Sequence, residues 1–162
     1  MPTPQPNPSC DPGFRRKNLD HTVPFTTARD QSATFFITIN TNPPGKNQLA
    51  LPHIWPPLLE TIIHRNTNNT WQTSIVLAMP DHLHALISFE GNNHMTKAIS
   101  DWKRWTARNL KINWQHGFFD HRLRNSESAI QKHNYILQNP VRANLCKTPN
   151  DWPYQWTTLT GR

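Results

Sequence analysis

Residues 71–89 read WQTSIVLAMPDHLHALISF, two short apolar runs parted by Pro80-Asp81. Trp71 to Met79 predicts a strand, Pro80-Asp81 a tight turn, and His82 to Phe89 the returning strand. The two runs pair as an antiparallel hairpin. Side chains on a strand alternate between faces. His82 and His84 therefore share one face, about 7 Å apart along the backbone, and Leu83 points to the other. This hairpin fixes the reading of everything around it.

Upstream, Phe35, Phe36, Ile37, Thr38 and Ile39 form a β-rich run that starts at Ala33 and ends in the turn-rich segment Asn40 to Gly45. Ile54, Trp55, Leu58, Leu59, Ile62 and Ile63 recur at helical spacing and predict an amphipathic helix ending near Asn66 to Asn69. Pro52, Pro56 and Pro57 blur its start, because an interior proline breaks the hydrogen-bond ladder. Downstream, Gly91 to His94 is a loop. Met95, Ala98, Ile99, Trp102, Trp105 and Leu110 then line one side of a second helix. Lys97, Arg104, Arg108 and Lys111 share a second, basic face, which reads either as a solvated surface or as a set of phosphate contacts. Phe118 to Arg124 is a short strand. Asn125 or Ser126 caps a third helix, with Glu127 in its first turn, and Pro140 ends it near Asn139. Its apolar side is Ala129, Ile130, His133 and Leu137.

The element order is β-α-β-β-α-β, then a helix and a tail, the split βαβ order. The expected fold is α+β and ferredoxin-like: a four-stranded antiparallel sheet with two helices on one face, plus an added C-terminal helix. The chain divides into a proline-rich basic arm at 1–32, one domain at 33–145, and a tail at 146–162 that packs back on it through Trp152, Tyr154 and Trp156. The arm carries Arg15, Arg16 and Lys17 and is expected to be extended or disordered, at least up to about Cys10.

With 162 residues the chain is too short for two full cores. Lys and Arg outnumber Asp and Glu by 17 to 10, giving a net charge of +7, and this excess favours a polyanionic partner such as nucleic acid. No apolar run is long enough for a transmembrane helix, and Met1 to Asp11 has no apolar signal core. Cys10 and Cys146 form no CxxC pair, which reads most simply as two reduced thiols in a cytoplasmic protein.

Two imidazoles on one strand face can converge on a metal ion, although chance HxH pairs are common in a chain with nine histidines. Tyr135 adds to the pair. It lies on the polar stripe of the third helix, with Ser128, Gln131, Lys132, Gln138 and Asn139, and is not needed for core contact there. Asn139 is one turn on, so both side chains share a face. An amide oxygen can complete a site with two histidines and leave positions for water and a phosphate. A phenol titrates near ~10 and is a poor nucleophile when neutral. A divalent cation that polarises a phosphodiester would let tyrosine attack phosphorus. The bland alternative is an amphipathic surface tyrosine and an Asn that ends its helix before proline.

MPDHLHALI at 79–87, followed by FFDHRLR at 118–124 and NYILQNPVRANL at 134–145, resembles the REP-associated tyrosine transposases, relatives of the HUH single-tyrosine transposases. The likeness runs from Arg15 to about Trp156 and includes FFITINTNPPGKNQL and WKRWTARNL. It implies that His82 and His84 are the metal ligands of the HUH motif, that Asn139 completes the site, and that Tyr135 is the nucleophile. The implied ion is Mg²⁺ or Mn²⁺; ligand type alone leaves zinc open. The implied reaction is cleavage and strand transfer of single-stranded or hairpin DNA, REP-like in sequence, through a 5′-phosphotyrosyl intermediate. The favoured state is a monomer with Tyr135 acting in its own chain; the alternative is a dimer that places Tyr135 in the partner's site. Asn144 departs from the family pattern, where glycine commonly follows NPVRA, but Asn tolerates a left-handed backbone. The basic face of helix two, with Arg15, Arg16, Lys17, Arg122 and Arg124, supplies candidate phosphate contacts. Trp102 and Trp105 read as core, with base stacking as the alternative. The rivals are a non-catalytic, domesticated hairpin-DNA-binding protein, an RNA-binding module and a metallonuclease that uses water.

Overall fold

The computed structural model describes residues 32–90, 95–124 and 126–158. The basic arm with Arg15, Arg16 and Lys17, the loop at 91–94 and Asn125 lie outside them. The elements are β1 (Ser32–Asn40), α1 (Trp55–Thr67), β2 (Gln72–Ala78), β3 (His82–Glu90), α2 (Met95–Leu110), β4 (Phe119–Arg122), α3 (Ser126–Arg142), a 3₁₀ turn (Pro149–Asp151) and β5 (Gln155–Thr157). The fold is α+β. The sheet has five strands in the order β4-β1-β3-β2-β5, all antiparallel, where four were expected. The extra strand comes from the tail: β5 pairs with β2, and the buried Trp152 donates its indole N–H to the Ala78 carbonyl at 3.0 Å.

Alternation on the strands sorts two cores. Ile37, Ile39, Val76, Leu83, Ala85, Ile87 and Phe89 face α1 and α2, where they meet Leu58, Ile62, Ile99 and Trp102. Ile75, Leu77, Met79 and Leu86 face the other way and pack with Ile136 of α3 and with Trp152. A bulge between Thr73 and Ile75 shifts the β2 register, so that Thr73 lines the α1/α2 side together with Val76. His82 and His84 belong to the α3 side, opposite Leu83.

Three helix readings need correcting. Pro56 and Pro57 do not blur α1. They sit in its first turn, where backbone N–H groups have no intrahelical acceptor, and Leu58 makes the i−4 bond back to Ile54 at 3.1 Å. On α2 the buried stripe is Met95, Ile99, Trp102 and Thr106. Trp105 lies roughly a quarter-turn from that stripe and is 47% exposed. On α3 the buried residues are Ile136 and Pro140, and Ile130 is exposed.

α3 also runs through Pro140 to Arg142. Pro140 cannot donate to the Ile136 carbonyl; the Asn139 side-chain amide lies 3.5 Å from that oxygen and 2.8 Å from the Tyr135 carbonyl, and donates there instead. The helix closes two residues past its last turn. Asn144 has φ +57, its N–H reaches the Val141 carbonyl, and the Leu145 N–H reaches the Pro140 carbonyl at 2.9 Å. This is a Schellman ending with Asn in the left-handed position that glycine usually fills.

Ile136 is fully buried between α3 and the sheet. Ile136→Ala is expected to cost about 2–5 kcal/mol, read as a lower urea midpoint at unchanged slope.

Candidate active site

The β-hairpin turn builds the first half of the site. Met79 N–H donates to the His82 carbonyl at 2.8 Å, which closes a two-residue loop at Pro80-Asp81. The segment 41–49 is stitched to that loop. Thr41 bonds the Asp81 carbonyl through its N–H and its hydroxyl, and Gln48 and Leu49 N–H groups bond the Pro80 carbonyl. The Gly45 N–H donates to Asp81 Oδ2 at 2.6 Å. Gly45 has φ +79, a conformation in which a side chain would be strained. The other carboxylate oxygen, Oδ1, accepts from His82 Nδ1 at 2.8 Å. A carboxylate only accepts, so His82 carries a proton on Nδ1, and in the neutral ring Nε2 holds the lone pair. Partial burial raises the Asp81 carboxyl, but the hydrogen bonds from His82 and Gly45, with the charge of His82, outweigh this and hold it below the usual carboxylate range.

His84 is set by its cross-strand neighbours. Thr38 lies directly opposite on β1, and its hydroxyl is 2.9 Å from His84 Nδ1. With the proton on Nδ1, that nitrogen donates to Thr38 and Nε2 is again left as the donor to a ligand. Phe36, two residues along, stacks on the His84 ring at 5.4 Å. His84 is buried, and burial, followed by the charges of His82 and Lys132, lowers its pKa to about 3. The His82 and His84 ring centroids are 4.8 Å apart.

α3 brings the second half. Ile136 anchors it over Leu86 and Leu77. The preceding residue, Tyr135, then projects beside the histidines. Its ring centroid is 6.2 Å from His84 and 5.9 Å from Phe36, both edge to face, and it remains 39% exposed. Lys132 and Arg142 lie over the same ring. Asn139 is one turn on, its amide nitrogen turned back onto the Tyr135 carbonyl, which leaves Oδ1 as its available atom.

The donor set fits a divalent cation. Two imidazoles offer Nε2 with Nδ1 already satisfied, the usual outer-shell support for metal-bound histidine, and the Asn139 amide oxygen is the third candidate. No cluster of three or more His, Cys, Asp or Glu side chains with metal-binding geometry occurs among the described residues.

The other expected contacts lie elsewhere. Lys97, Arg104, Arg108 and Lys111 belong to α2 and the segment just after it, across the sheet from the histidines. Lys97 and Arg104 both pair with Asp101, at 2.6 and 3.2 Å, and Lys111 donates to the Arg108 carbonyl. Arg122 is opposite Phe35 on the edge strand β4, which places it on the α1/α2 side, and Arg124 follows the strand, exposed. Residues not singled out from the sequence complete the site: Asp81, Thr38, Phe36 and Arg142, with Lys132 as more than a member of a polar stripe. Lys132 and Arg142 stand three before and seven after Tyr135, a helical spacing that was there to be read.

No protein-family model matches the chain. It is 27% identical over 127 residues to the REP-associated tyrosine transposase of Escherichia coli K12, covering 76% of each chain. The chain is similar to the REP-associated tyrosine transposases. A Haemophilus influenzae protein named in the same family is 26% identical over 101 residues, covering 52% of this chain and 57% of its own length. Among solved structures, a REP-associated tyrosine transposase bound to a REP hairpin matches with a TM-score of 0.67 at 23% identity, over 81% of this chain and 82% of that one. At that identity the match speaks for the fold. No helix among the described residues is long and apolar enough to cross a membrane.

His84 gives a direct check on the site's electrostatics. In metal-free protein its ring signals should stay those of neutral imidazole as the pH falls from about 8 to about 4. An NMR titration midpoint near the ordinary histidine value would contradict the burial described above. The unfolded chain takes up that proton first, so this residue lowers stability progressively as pH falls from the unfolded value towards the folded one.

Proposed function

We propose that this protein cleaves and rejoins single-stranded DNA at or beside a base-paired hairpin, with Tyr135 as the nucleophile and His82, His84 and Asn139 as the ligands of a Mg²⁺ or Mn²⁺ ion. The observation that carries the reading is the meeting of the Tyr135 ring and the paired imidazoles on one sheet face, within one chain. A binding module has no need of a tyrosine beside two neutral-nitrogen donors, and a nuclease that uses water has no need of it either. Because the tyrosine and the histidines come from the same chain, the reading requires no partner subunit, in keeping with a monomer.

When bound, the cation would polarise the phosphodiester and offset charge on its nonbridging oxygens. The chain supplies the rest. Asp81 holds His82 with a proton on Nδ1, and Thr38 holds the His84 ring in place through its Nδ1. Ile136 and the Schellman ending of α3 hold the phenol at its height over the sheet. The phenolic oxygen bonds to phosphorus and its proton passes to water. The bond from phosphorus to the 3′ oxygen breaks, and that oxygen leaves as a hydroxyl after taking a proton. The phosphotyrosyl bond keeps the free energy of the phosphodiester available for rejoining. The sequence relatives are named REP-associated tyrosine transposases, and one solved neighbour is described as bound to a REP hairpin, which supports the reading. Arg122 and Arg124, at the sheet edge, are the candidate contacts for the base-paired part. The basic residues of α2 serve the strand that cleavage needs only if DNA wraps past the sheet edge.

Incubation with 3′-labelled hairpin DNA and Mn²⁺ should carry label onto the protein in a denaturing gel. Tyr135→Phe should abolish that band, and Tyr154→Phe should not. His82→Ala should abolish cleavage while keeping most DNA affinity, which phosphate contacts dominate. Cleavage by Tyr135→Phe, or cleavage with no labelled protein, would put water in place of the tyrosine.

Asp81 has its own test. Asp81→Ala should weaken Mn²⁺ binding about 10–100-fold by calorimetry, because His82 loses the partner that fixes its tautomer. Unchanged affinity would remove His82 from the metal site.

A further inference from the structure

Two cations crowd the Tyr135 ring. Lys132 Nζ is 5.3 Å and the Arg142 guanidinium carbon 5.0 Å from its centroid. Lys132 also lies 5.0 Å over Phe36, the ring that stacks on His84, and its charge is felt at His84. It therefore lies over both of the rings, Phe36 and Tyr135, that contact His84. Arg142 reaches the tyrosine from the last turn of α3. Among the described residues neither cation pairs with a carboxylate, in contrast to Lys97 and Arg104, which share Asp101. A cation over an aromatic face gains roughly 0.5–1 kcal/mol at an exposed site, far less than a charge-assisted bond to an anion offers. The pair is thus held in place and still able to take an anionic ligand.

We infer that Lys132 and Arg142 form a binding site for consecutive phosphodiester groups of one nucleic-acid strand, with Lys132 on the phosphate that meets Tyr135 and Arg142 on its neighbour. The inference rests on the proposed reaction for its choice of substrate. It adds to the metal ligands a fixed positive charge beside the nonbridging oxygens of the reacting phosphate, which offsets their charge as the phenol attacks. It also sets the register of the strand, because two phosphate contacts on one helix flank define its direction across the site.

The test uses the full chain and a hairpin oligonucleotide with oligo(dT) flanks. In a Tyr135→Phe background, Lys132→Met and Arg142→Met should each flatten the dependence of log affinity on log salt by about 0.7, the share of one single-strand phosphate. Lys132→Arg should restore the slope, which separates charge from packing, since Met already keeps the stem over Phe36. With Tyr135 present, Lys132→Met should slow adduct formation about 100-fold at saturating DNA, as loss of one charge-stabilising group does. Arg142→Met should weaken binding of the same oligonucleotide. Unchanged slopes in both Met variants, or a parental adduct rate in Lys132→Met, would overturn the site. If the parent itself forms no adduct, the proposed reaction falls, and the salt slopes still decide whether these two residues hold phosphates.

Discussion

The carboxylate of Asp81 serves the fold and the site at once. One oxygen takes the Gly45 N–H and so ties the long 41–49 segment to the hairpin turn; the other takes His82 Nδ1. A turn of two residues leaves little freedom, so the position of the first imidazole follows from the turn rather than from a search among rotamers. The second imidazole follows from the sheet. Register places Thr38 opposite His84, and a buried imidazole needs a partner for its N–H. Remove either partner and a ring nitrogen is left to compete for the wrong proton.

α3 depends on the same sheet from the other side. Its buried stripe is narrow, Ile136 and Pro140 with flanking residues, and it sits over Ile75, Leu77 and Leu86. A narrow stripe leaves the adjacent flank half-exposed, and that flank carries Lys132, Tyr135, Asn139 and Arg142. Beside the proline that ought to end the helix, Asn139 bends its amide back toward the freed Ile136 carbonyl and onto that of Tyr135. The same side chain is then pre-turned with its oxygen outward. Helix continuity and the availability of Oδ1 are therefore one arrangement.

The hairpin, the alternation of β3 and the order of the first four strands were legible because they rest on periods and on a short turn, both local properties. The fifth strand was not, since three residues, Gln155 to Thr157, carry no period of their own and pair only because β2 offers an edge. Trp105 was misread because its spacing from Trp102 fits a helix face as well as Thr106 does, and an aromatic outranks a threonine in any apolar tally. In the fold Thr106 is buried by satisfying its hydroxyl on the Trp102 carbonyl and taking the Trp114 N–H. On the site, His82, His84 and Tyr135 were visible as residue types, whereas Thr38 and Phe36 depend on strand register, which the sequence does not print. Asp81 was read only as a turn former, although a carboxylate next to a candidate ligand is a recognisable pattern.

Net charge alone says little about where a polyanion would lie. Of the cations on α2, two share the single carboxylate of Asp101 and all are on the far side of the sheet. Exposed charges separated by more than a Debye length, about 8–10 Å at ordinary ionic strength, act on one another weakly. The α2 face therefore contributes to the long-range field that draws a polyanion in, and little to the potential at Tyr135. That local potential comes from Lys132 and Arg142. Two cations close to the tyrosine ring, with no carboxylate paired to them among the described residues, outweigh a larger number that are remote. Geometry rather than composition decides which positive charges a phosphate on the histidine face would meet.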